Sequence, residues 1–303
     1  MNRYAFSIQL LSSLLFVFAA QTRAFAQTVF THRVPEAYTS ATPSYEVSVL
    51  KLALDKTRDE YGPYEFKPAP QINQNRVLQS IKTDTFPNYF ASLGYNEDYN
   101  KSPEITYIRF PIDLGVLSYR TCFVSTDMLD EVAKINTLDE LRALSIGQGR
   151  GWVDVTILKH NGFKVVEAEP YPILFKMVAA HRFDLLCRGA NEIKEEYDRW
   201  NKTDGLGYDR HLLIYYPMPI FFYTNSKNKD AIARVTKGLR KAYADGSLLA
   251  LWRKQHQASV DFAGLNKRKV FRLDNPLVKS IDFDYAKYFY KLDINKSALN
   301  TPN

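Results

Sequence analysis

A glycine-rich segment, Gly147-Gln-Gly-Arg-Gly151, is the first place where the sequence offers ligand-binding chemistry. It follows a short apolar run typical of a buried strand and precedes a helical pattern that begins at Trp152. Glycines let the backbone turn tightly and let an external group approach its amides. The free amides at the start of the next helix favour negative charge. Arg150 adds a cation and Trp152 an apolar or cation–π wall; the alternative is a solvated Arg150 and a Trp152 buried in the core.

A second polar cluster, Arg188-Gly-Ala-Asn-Glu192, comes directly after the apolar run Phe183–Cys187. Open α/β sheets bind ligands at the carboxyl ends of their strands. We therefore predict that Arg188, Asn191 and Glu192 reach a cleft. The alternative for Glu192 is an ordinary surface ion pair on the following helix.

Motifs for catalysis and for metal or cofactor binding are not found. The sequence has no Gly-x-Ser-x-Gly and no His-Glu-x-x-His, and its 5 histidines share no metal-ligand spacing. The glycine-rich segment lacks the Gly-Lys-Ser/Thr ending of a phosphate loop, and its third glycine comes too early for a dinucleotide fingerprint. Asp154 and Glu192 are the best acid–base pair among 33 acidic residues. The sequence thus predicts a non-enzymatic protein without cofactor or metal, with a lyase or dehydratase as the less favoured alternative.

Alternating strand and helix patterns must position these residues. Between residues 120 and 190 the apolar periodicity switches between strand and helix in short units, which is typical of a doubly wound, mostly parallel α/β sheet. Two further strands, Leu212–Tyr216 and Ile220–Thr224, are separated by Pro217-Met-Pro219, and an amphipathic helix follows over Lys229–Tyr243.

The N-terminus, residues 1–26, has the features of a secretory signal. A basic start is followed by the apolar stretch 10–20 and by the small-x-small cleavage site Ala24-Phe-Ala26. The apolar stretch is shorter than the ~20 residues that a membrane span needs, and no cysteine lies near the cleavage site. We expect a periplasmic protein without a lipid anchor; an uncleaved membrane anchor is the alternative.

The net charge of +7 is modest for 303 residues. No run of five basic residues occurs, and the densest basic patch, Lys267-Arg268-Lys269, is interpreted as a solvated loop. Nucleic acid is therefore not an expected partner.

The sequence holds 2 cysteines, Cys122 and Cys187, each in an apolar strand-like run. Export makes a disulfide bond chemically possible. Buried free thiols are the simpler expectation.

Several short segments, taken in order, resemble those of a known family. The segments are Leu52–Thr57 with Tyr61–Tyr64, Ile108–Ile112 with Gly115 and Tyr119–Arg120, Thr137–Leu141, Gly147–Gly149, Phe183–Asp184 and Ala242–Ser247. Each is weak alone, whereas their order is specific and covers most of the chain. The chain resembles type II periplasmic solute-binding proteins, in particular family 3, the branch of amino-acid receptors of ABC import systems.

The resemblance implies an architecture of two α/β lobes, each a mostly parallel sheet flanked by helices, with the solute in the cleft between them. Carried onto this chain, it implies a discontinuous first lobe, residues 27–118 and 220–303, and an inserted second lobe, residues 119–219. Two crossing hinge strands are expected near Tyr119–Val124 and Leu212–Tyr223.

The resemblance also implies ligand-contacting positions, and this sequence departs from the family at three of them. Where amino-acid receptors carry a clamping arginine, the matching stretch offers Lys101; where they carry a threonine in the glycine loop, this chain has Arg150-Gly151. Where they carry an aspartate after the last strand of the second lobe, Gly189 stands here. These departures favour an anionic solute, with Arg109 as a further cation. The predicted ligand-binding residues are Lys101, Arg109, Arg150, Gly151, Trp152, Arg188, Asn191 and Glu192.

The function implied is that of a monomeric receptor that captures a small polar solute for import or sensing. Its partner is then an ABC permease or a membrane sensor protein. A pair of lobes that has lost its solute and serves as an interaction or sensor-input module is the main alternative.

Overall fold

The computed structural model describes residues 27–34, 43–292 and 294, so the predicted signal at residues 1–26 lies outside the described residues. The strands are β1 (Thr28–His32), β2 (Tyr64–Pro68), β3 (Tyr89–Gly94), β4 (Ile105–Tyr107), β5 (Tyr119–Ser125), β6 (Ser145–Gly149), β7 (Lys164–Ala168), β8 (Leu186–Gly189), β9 (Leu206–Tyr208), β10 (Leu212–Tyr215), β11 (Ile220–Asn225) and β12 (Lys269–Arg272). The helices are α1 (Tyr45–Asp55), α2 (Arg58–Tyr61), α3 (Gln74–Lys82), α4 (Leu129–Val132), α5 (Leu138–Arg142), α6 (Val153–His160), α7 (Ile173–Ala179), α8 (Ile193–Trp200), α9 (Lys229–Ala244) and α10 (Ser247–Ala263). No helix in this part of the chain is long and apolar enough to span a membrane.

The first sheet has the strand order β2-β1-β3-β11-β4. β1 is parallel to β2 and β3, whereas β11 is antiparallel to β3 and β4. Every residue of β11 is buried, as its unbroken apolar run Ile220–Tyr223 predicts for a central strand. Helix α1 packs on this lobe with Val49, Ala53 and Leu54 buried, and Ser44 caps it by accepting from the Val47 amide.

The second sheet has the order β12-β10-β5-β8, with β9 also paired to β5. Strand β5 is antiparallel to β8, β9 and β10, and only β10 and β12 run parallel. Strands β6 and β7 form a separate parallel pair. The predicted α/β class is confirmed, but the sheets are mixed rather than mostly parallel, because the strand that follows each crossing between lobes enters its new sheet in the opposite direction.

Residues 108–118 and 216–219 connect the two sheets, and side chains tie these two segments together. The Asp113 carboxylate accepts from the amides of Leu117 (3.2 Å) and Ile220 (3.3 Å). The Ser118 hydroxyl accepts from the Met218 amide at 3.0 Å. The two connecting segments are therefore hydrogen-bonded to each other.

The predicted division gives residues 27–118 and 220–303 to the first lobe and residues 119–219 to the second. One strand, β12, has to be reassigned from the first lobe to the second. Strand β12 pairs with β10 in the second sheet over Leu212–Tyr215, although it lies in the range assigned to the first lobe. After β12 the chain returns to the first lobe, where Leu277 and Leu292 are buried. With that strand moved, the division remains our proposal.

Two expectations about buried residues are wrong. Cys122 and Cys187 form a disulfide bond rather than free thiols, because the antiparallel register of β5 and β8 places them directly opposite each other. Arg268 is not solvated: it is only 5% exposed and donates to the Leu212 carbonyl and to Asp209. Its neighbours Lys267 and Lys269 are exposed, as the basic patch predicts.

Candidate functional site

A cavity of about 320 Å³ lies between the two sheets and is lined from both lobes. From the first lobe come the starts of α1 and α3 and the strand β3; from the second come the loop before α6 and the loop between β8 and α8. The lining holds four arginines, Arg33, Arg120, Arg150 and Arg188, and five carboxylates, Glu46, Asp113, Asp154, Glu169 and Glu192.

Arg188 lies in the second-lobe wall and is only 5% exposed. Its guanidinium carbon lies 4.6 Å from the centre of the Trp152 ring and 5.4 Å from that of Tyr171. Its Nε donates to Glu196 at 2.8 Å and its Nη2 to Glu192 at 3.0 Å. Burial opposes the charged form, but the two glutamates outweigh it and raise the pKa of Arg188. The charge predicted to hold an anion is thus already neutralised within the protein.

Arg120 on β5 also lines the cleft, although its sequence context does not predict a site residue. Its Nη2 lies 2.9 Å from the Asp154 carboxylate, which also accepts from the Tyr216 hydroxyl. Both partners of the ion pair are buried. A lone arginine inside an apolar strand gives no signal of this role, because its partner comes from a helix that starts 33 residues later in the chain.

Asp154 and Glu192, the acid–base candidates, are both held by cations. Asp154 pairs with Arg120, and Glu192 pairs with Arg188 while its other oxygen accepts from the Gly189 amide at 3.1 Å. A carboxylate in a structural ion pair is poorly placed to exchange protons with a substrate. The cleft therefore gives no support to a lyase or dehydratase.

Gly189 stands in the second-lobe wall at the position where the resemblance implies an aspartate. A Cβ atom at this position would lie 2.5 Å from Asn191 Oδ1 and 3.0 Å from Glu192 Oε2. Asn191 and Glu192 thus fold back over the glycine and occupy the space that an aspartate at position 189 would need. Instead of an aspartate at position 189, the side chains of Asn191 and Glu192 line the cleft here.

The glycine-rich segment forms the mouth of the cleft. Arg150 lies 3.5 Å from Glu169, and both side chains are exposed. Gly151 adopts a positive φ of 77°, where a residue without Cβ is favoured. Across the cleft, Gln74 of the first lobe donates to the Gly151 carbonyl at 3.3 Å. This contact links the two lobes directly.

Two predicted residues, Lys101 and Arg109, do not line the cleft. Lys101 lies in the turn Glu97–Lys101, exposed and paired with Asp98. Arg109 follows the edge strand β4 and pairs with Asp282 of the C-terminal segment at 2.6 Å. Both cations lie outside the cavity because the first lobe presents the starts of α1 and α3 to the cleft rather than this edge.

The expectation of an anionic solute is not supported by the cleft. Its arginines face carboxylates: Arg120 faces Asp154, Arg150 faces Glu169, and Arg188 faces two glutamates. With five carboxylates against four arginines, the lining offers no excess of positive charge. Among the residues that the structure describes, no group of three or more His, Cys, Asp or Glu side chains could hold a metal ion.

Two buried titratable groups line the cleft, and their titration should change the stability of the protein in opposite directions as the pH rises. Burial raises the pKa of Asp113 to about 6 and lowers that of His256 to about 4. A raised carboxyl pKa means that stability falls as pH rises from about 4 to about 6, whereas a lowered histidine pKa means that stability rises over about pH 4 to 6.5. We therefore expect the two effects to compensate in the wild-type protein.

The variant Asp113→Asn removes the carboxyl group whose titration lowers the stability as the pH rises. The difference in unfolding free energy between the variant and the wild type should change by about 2 kcal/mol between pH 4 and pH 6, in favour of the variant at the higher pH. Urea unfolding at both pH values measures this, with the exposed Asp59→Asn as control. A difference that does not vary with pH would show that Asp113 titrates normally.

Several solved structures are similar to this one in fold. An ancestral arginine-binding protein bound to arginine is 15% identical, with a TM-score of 0.56 over 76% of this chain and 99% of the other. The amino acid ABC transporter substrate-binding protein AbpA from Streptococcus pneumoniae, bound to L-arginine, is 13% identical, with a TM-score of 0.56 over 77% and 96%. The periplasmic VFT2 domain of Bordetella pertussis BvgS is 15% identical, with a TM-score of 0.55 over 75% and 93%.

The fold is that of the type II periplasmic binding proteins. At these identities the similarity is one of fold alone. No protein-family model matches the sequence, and no curated protein matches it significantly. The resemblance predicted from the ordered segments is therefore confirmed as a resemblance of fold, and the solute has to be argued from the cleft itself.

Proposed function

We propose that this periplasmic-binding-protein fold serves as an exported receptor that captures one small polar solute between its lobes. The observation that carries the proposal is the cavity of about 320 Å³, which is lined from both lobes and lies beside the two hydrogen-bonded segments that connect them. A solute that contacts both walls would stabilise the closed arrangement, since a ligand shifts an equilibrium by its differential affinity for the two states. Closure around a ligand is a common hinge motion.

The closed lobes then present a composite surface to a membrane partner, either an ABC permease or a sensor protein. The similar structures include both transporter receptors and the VFT2 domain of a BvgS protein. Residues 1–26 supply the export signal in this proposal.

A thermal-shift screen of the purified protein tests the receptor function. The panel covers amino acids, amines, organic acids and sugars. A solute present at 100 times its Kd stabilises the folded state by about 2.7 kcal/mol, which for a domain of this size raises Tm by about 5 °C or more. We expect at least one member of the panel to do so. No shift with any member would contradict the receptor and favour a module that works without solute.

A ligand-free interaction module is the second candidate, and one contact favours it. Gln74 donates a hydrogen bond to the Gly151 carbonyl, so the two lobes contact each other directly. In that case the partner protein would recognise the preformed surface directly, and the screen would find no stabilising solute.

A further inference from the structure

A smaller chamber of about 190 Å³ opens beside the main cavity, between the start of α1, the α8 helix and the α10 helix. We call it the acidic chamber, because four glutamates line it: Glu46, Glu192, Glu195 and Glu196. It shares Tyr45, Glu46, Tyr171, Asn191, Glu192 and His256 with the main cavity. A solute in the cleft can therefore extend into it.

The charges around the chamber do not balance. Arg199 is the lining cation and pairs with Glu195 at 2.6 Å. Arg188 neutralises part of the Glu192 and Glu196 charge, and Arg33 lies close enough to Glu46 to oppose the rise in pKa that burial causes there. Four carboxylates against three arginines leave one negative charge.

Buried polar atoms in the chamber wall are left without hydrogen-bond partners among the described residues. Glu196 is 5% exposed; its Oε1 accepts from Arg188 and Tyr171, whereas its Oε2 has no partner. His256 is 6% exposed and its Nε2 has no partner. Asn191 Oδ1 is likewise unpartnered. Buried acceptors without donors are uncommon, and a bound group with N–H donors would satisfy these atoms.

Two of the glutamates come from opposite lobes. Glu46 lies in the first turn of α1, and Glu192 lies just before α8. Burial raises the pKa of Glu46, and the charge of Glu192 raises it further. The two carboxylates thus repel each other across the cleft, and a cation placed between them would remove that repulsion and hold the lobes together.

We infer that the acidic chamber binds a cationic nitrogen group of the solute, an ammonium or a guanidinium. Such a group carries several N–H donors and one positive charge. It would satisfy Glu196 Oε2 and Asn191 Oδ1 and balance the residual charge. This inference rests on the proposed receptor function and names the class of its solute.

Matched pairs of probes test the inference by calorimetric titration. The pairs are L-arginine with L-citrulline, L-lysine with L-norleucine, and 1,4-diaminobutane with 1,4-butanediol, each differing in one or two cationic groups. We expect the cationic member of at least one pair to bind about 10- to 100-fold more tightly, as for hydrogen bonds to charged groups.

Variants locate the effect in the chamber. Glu46→Gln should weaken the cationic member about tenfold and leave the neutral member unchanged. Glu195→Gln, at an exposed position on α8, gives a second variant that does not depend on the buried network. Glu131→Gln on α4 is exposed, does not line the chamber and serves as the matched control. Thermal unfolding without solute checks that each variant folds.

The outcomes separate this inference from the receptor function. If a neutral or anionic solute from the screen binds and no cationic probe is preferred, the inference is overturned while the receptor stands. If Glu46→Gln and Glu195→Gln bind the preferred cation as tightly as Glu131→Gln does, the chamber is not the site. If no solute binds at all, both proposals are overturned.

Discussion

Replacing Cys122 and Cys187 by alanine should lower the free energy of unfolding by about 4 kcal/mol. The disulfide joins β5 to β8 and closes a loop over a sequence separation of 65 residues. Cross-linking residues this far apart restricts the unfolded chain, and a loop of this length corresponds to about 4 kcal/mol in the chain-entropy account. The bond also links β5 to β8 at Cys187, the residue directly before Arg188 of the cleft wall.

Urea unfolding with and without a reductant measures this effect. The reductant should destabilise the wild-type protein and leave the double alanine variant unchanged. Equal stability of the oxidised and reduced wild-type protein would mean that the bond does not contribute, and the cross-strand pairing of the two cysteines would then suffice alone.

Arg268→Met should destabilise the protein by about 3 to 5 kcal/mol, because it leaves a carboxylate buried without its cation. Arg268 donates to the Ala263 and Leu212 carbonyls, and it lies 3.2 Å from Asp209, which is 2% exposed. These bonds join the end of α10 to the second sheet. The loss should therefore also weaken the attachment of the end of α10 to the second sheet.

Lys267→Met is the matched control, since Lys267 is the exposed neighbour in the same basic patch. Surface substitutions of this kind change stability by no more than about 0.5 kcal/mol. Chemical unfolding of both variants gives the comparison. Similar small losses in the two would show that Arg268 is solvated, as the sequence pattern alone indicated.

The local elements were predictable because their signals are local. Thr137 and Glu140 form the capping box that starts α5, as the spacing of a threonine and a glutamate three residues later predicts. Helix α3 likewise has a local signal at its start, since the Asn73 side chain accepts from the Arg76 amide. The position of Arg188 at the end of a buried strand also follows from the pattern.

The partners of the site residues were not predictable, because a local sequence pattern does not show which charged side chains meet in the folded protein. The sequence pattern predicts an Arg188 that is available to an anion, whereas Glu196 on the following helix neutralises it. Arg120 gave no signal, since its partner Asp154 belongs to another element. Arg109 was misplaced because Asp282, which holds it, lies 173 residues away. Charge alone therefore predicted the wrong preference for the cleft.

A crystal structure of the protein with the most stabilising solute of the screen tests the central claim most directly. We expect the solute between the lobes, with its cationic nitrogen beside Glu46 and Glu192 and contacts to both walls. A solute bound to one lobe alone, or on the outer surface, would contradict the account.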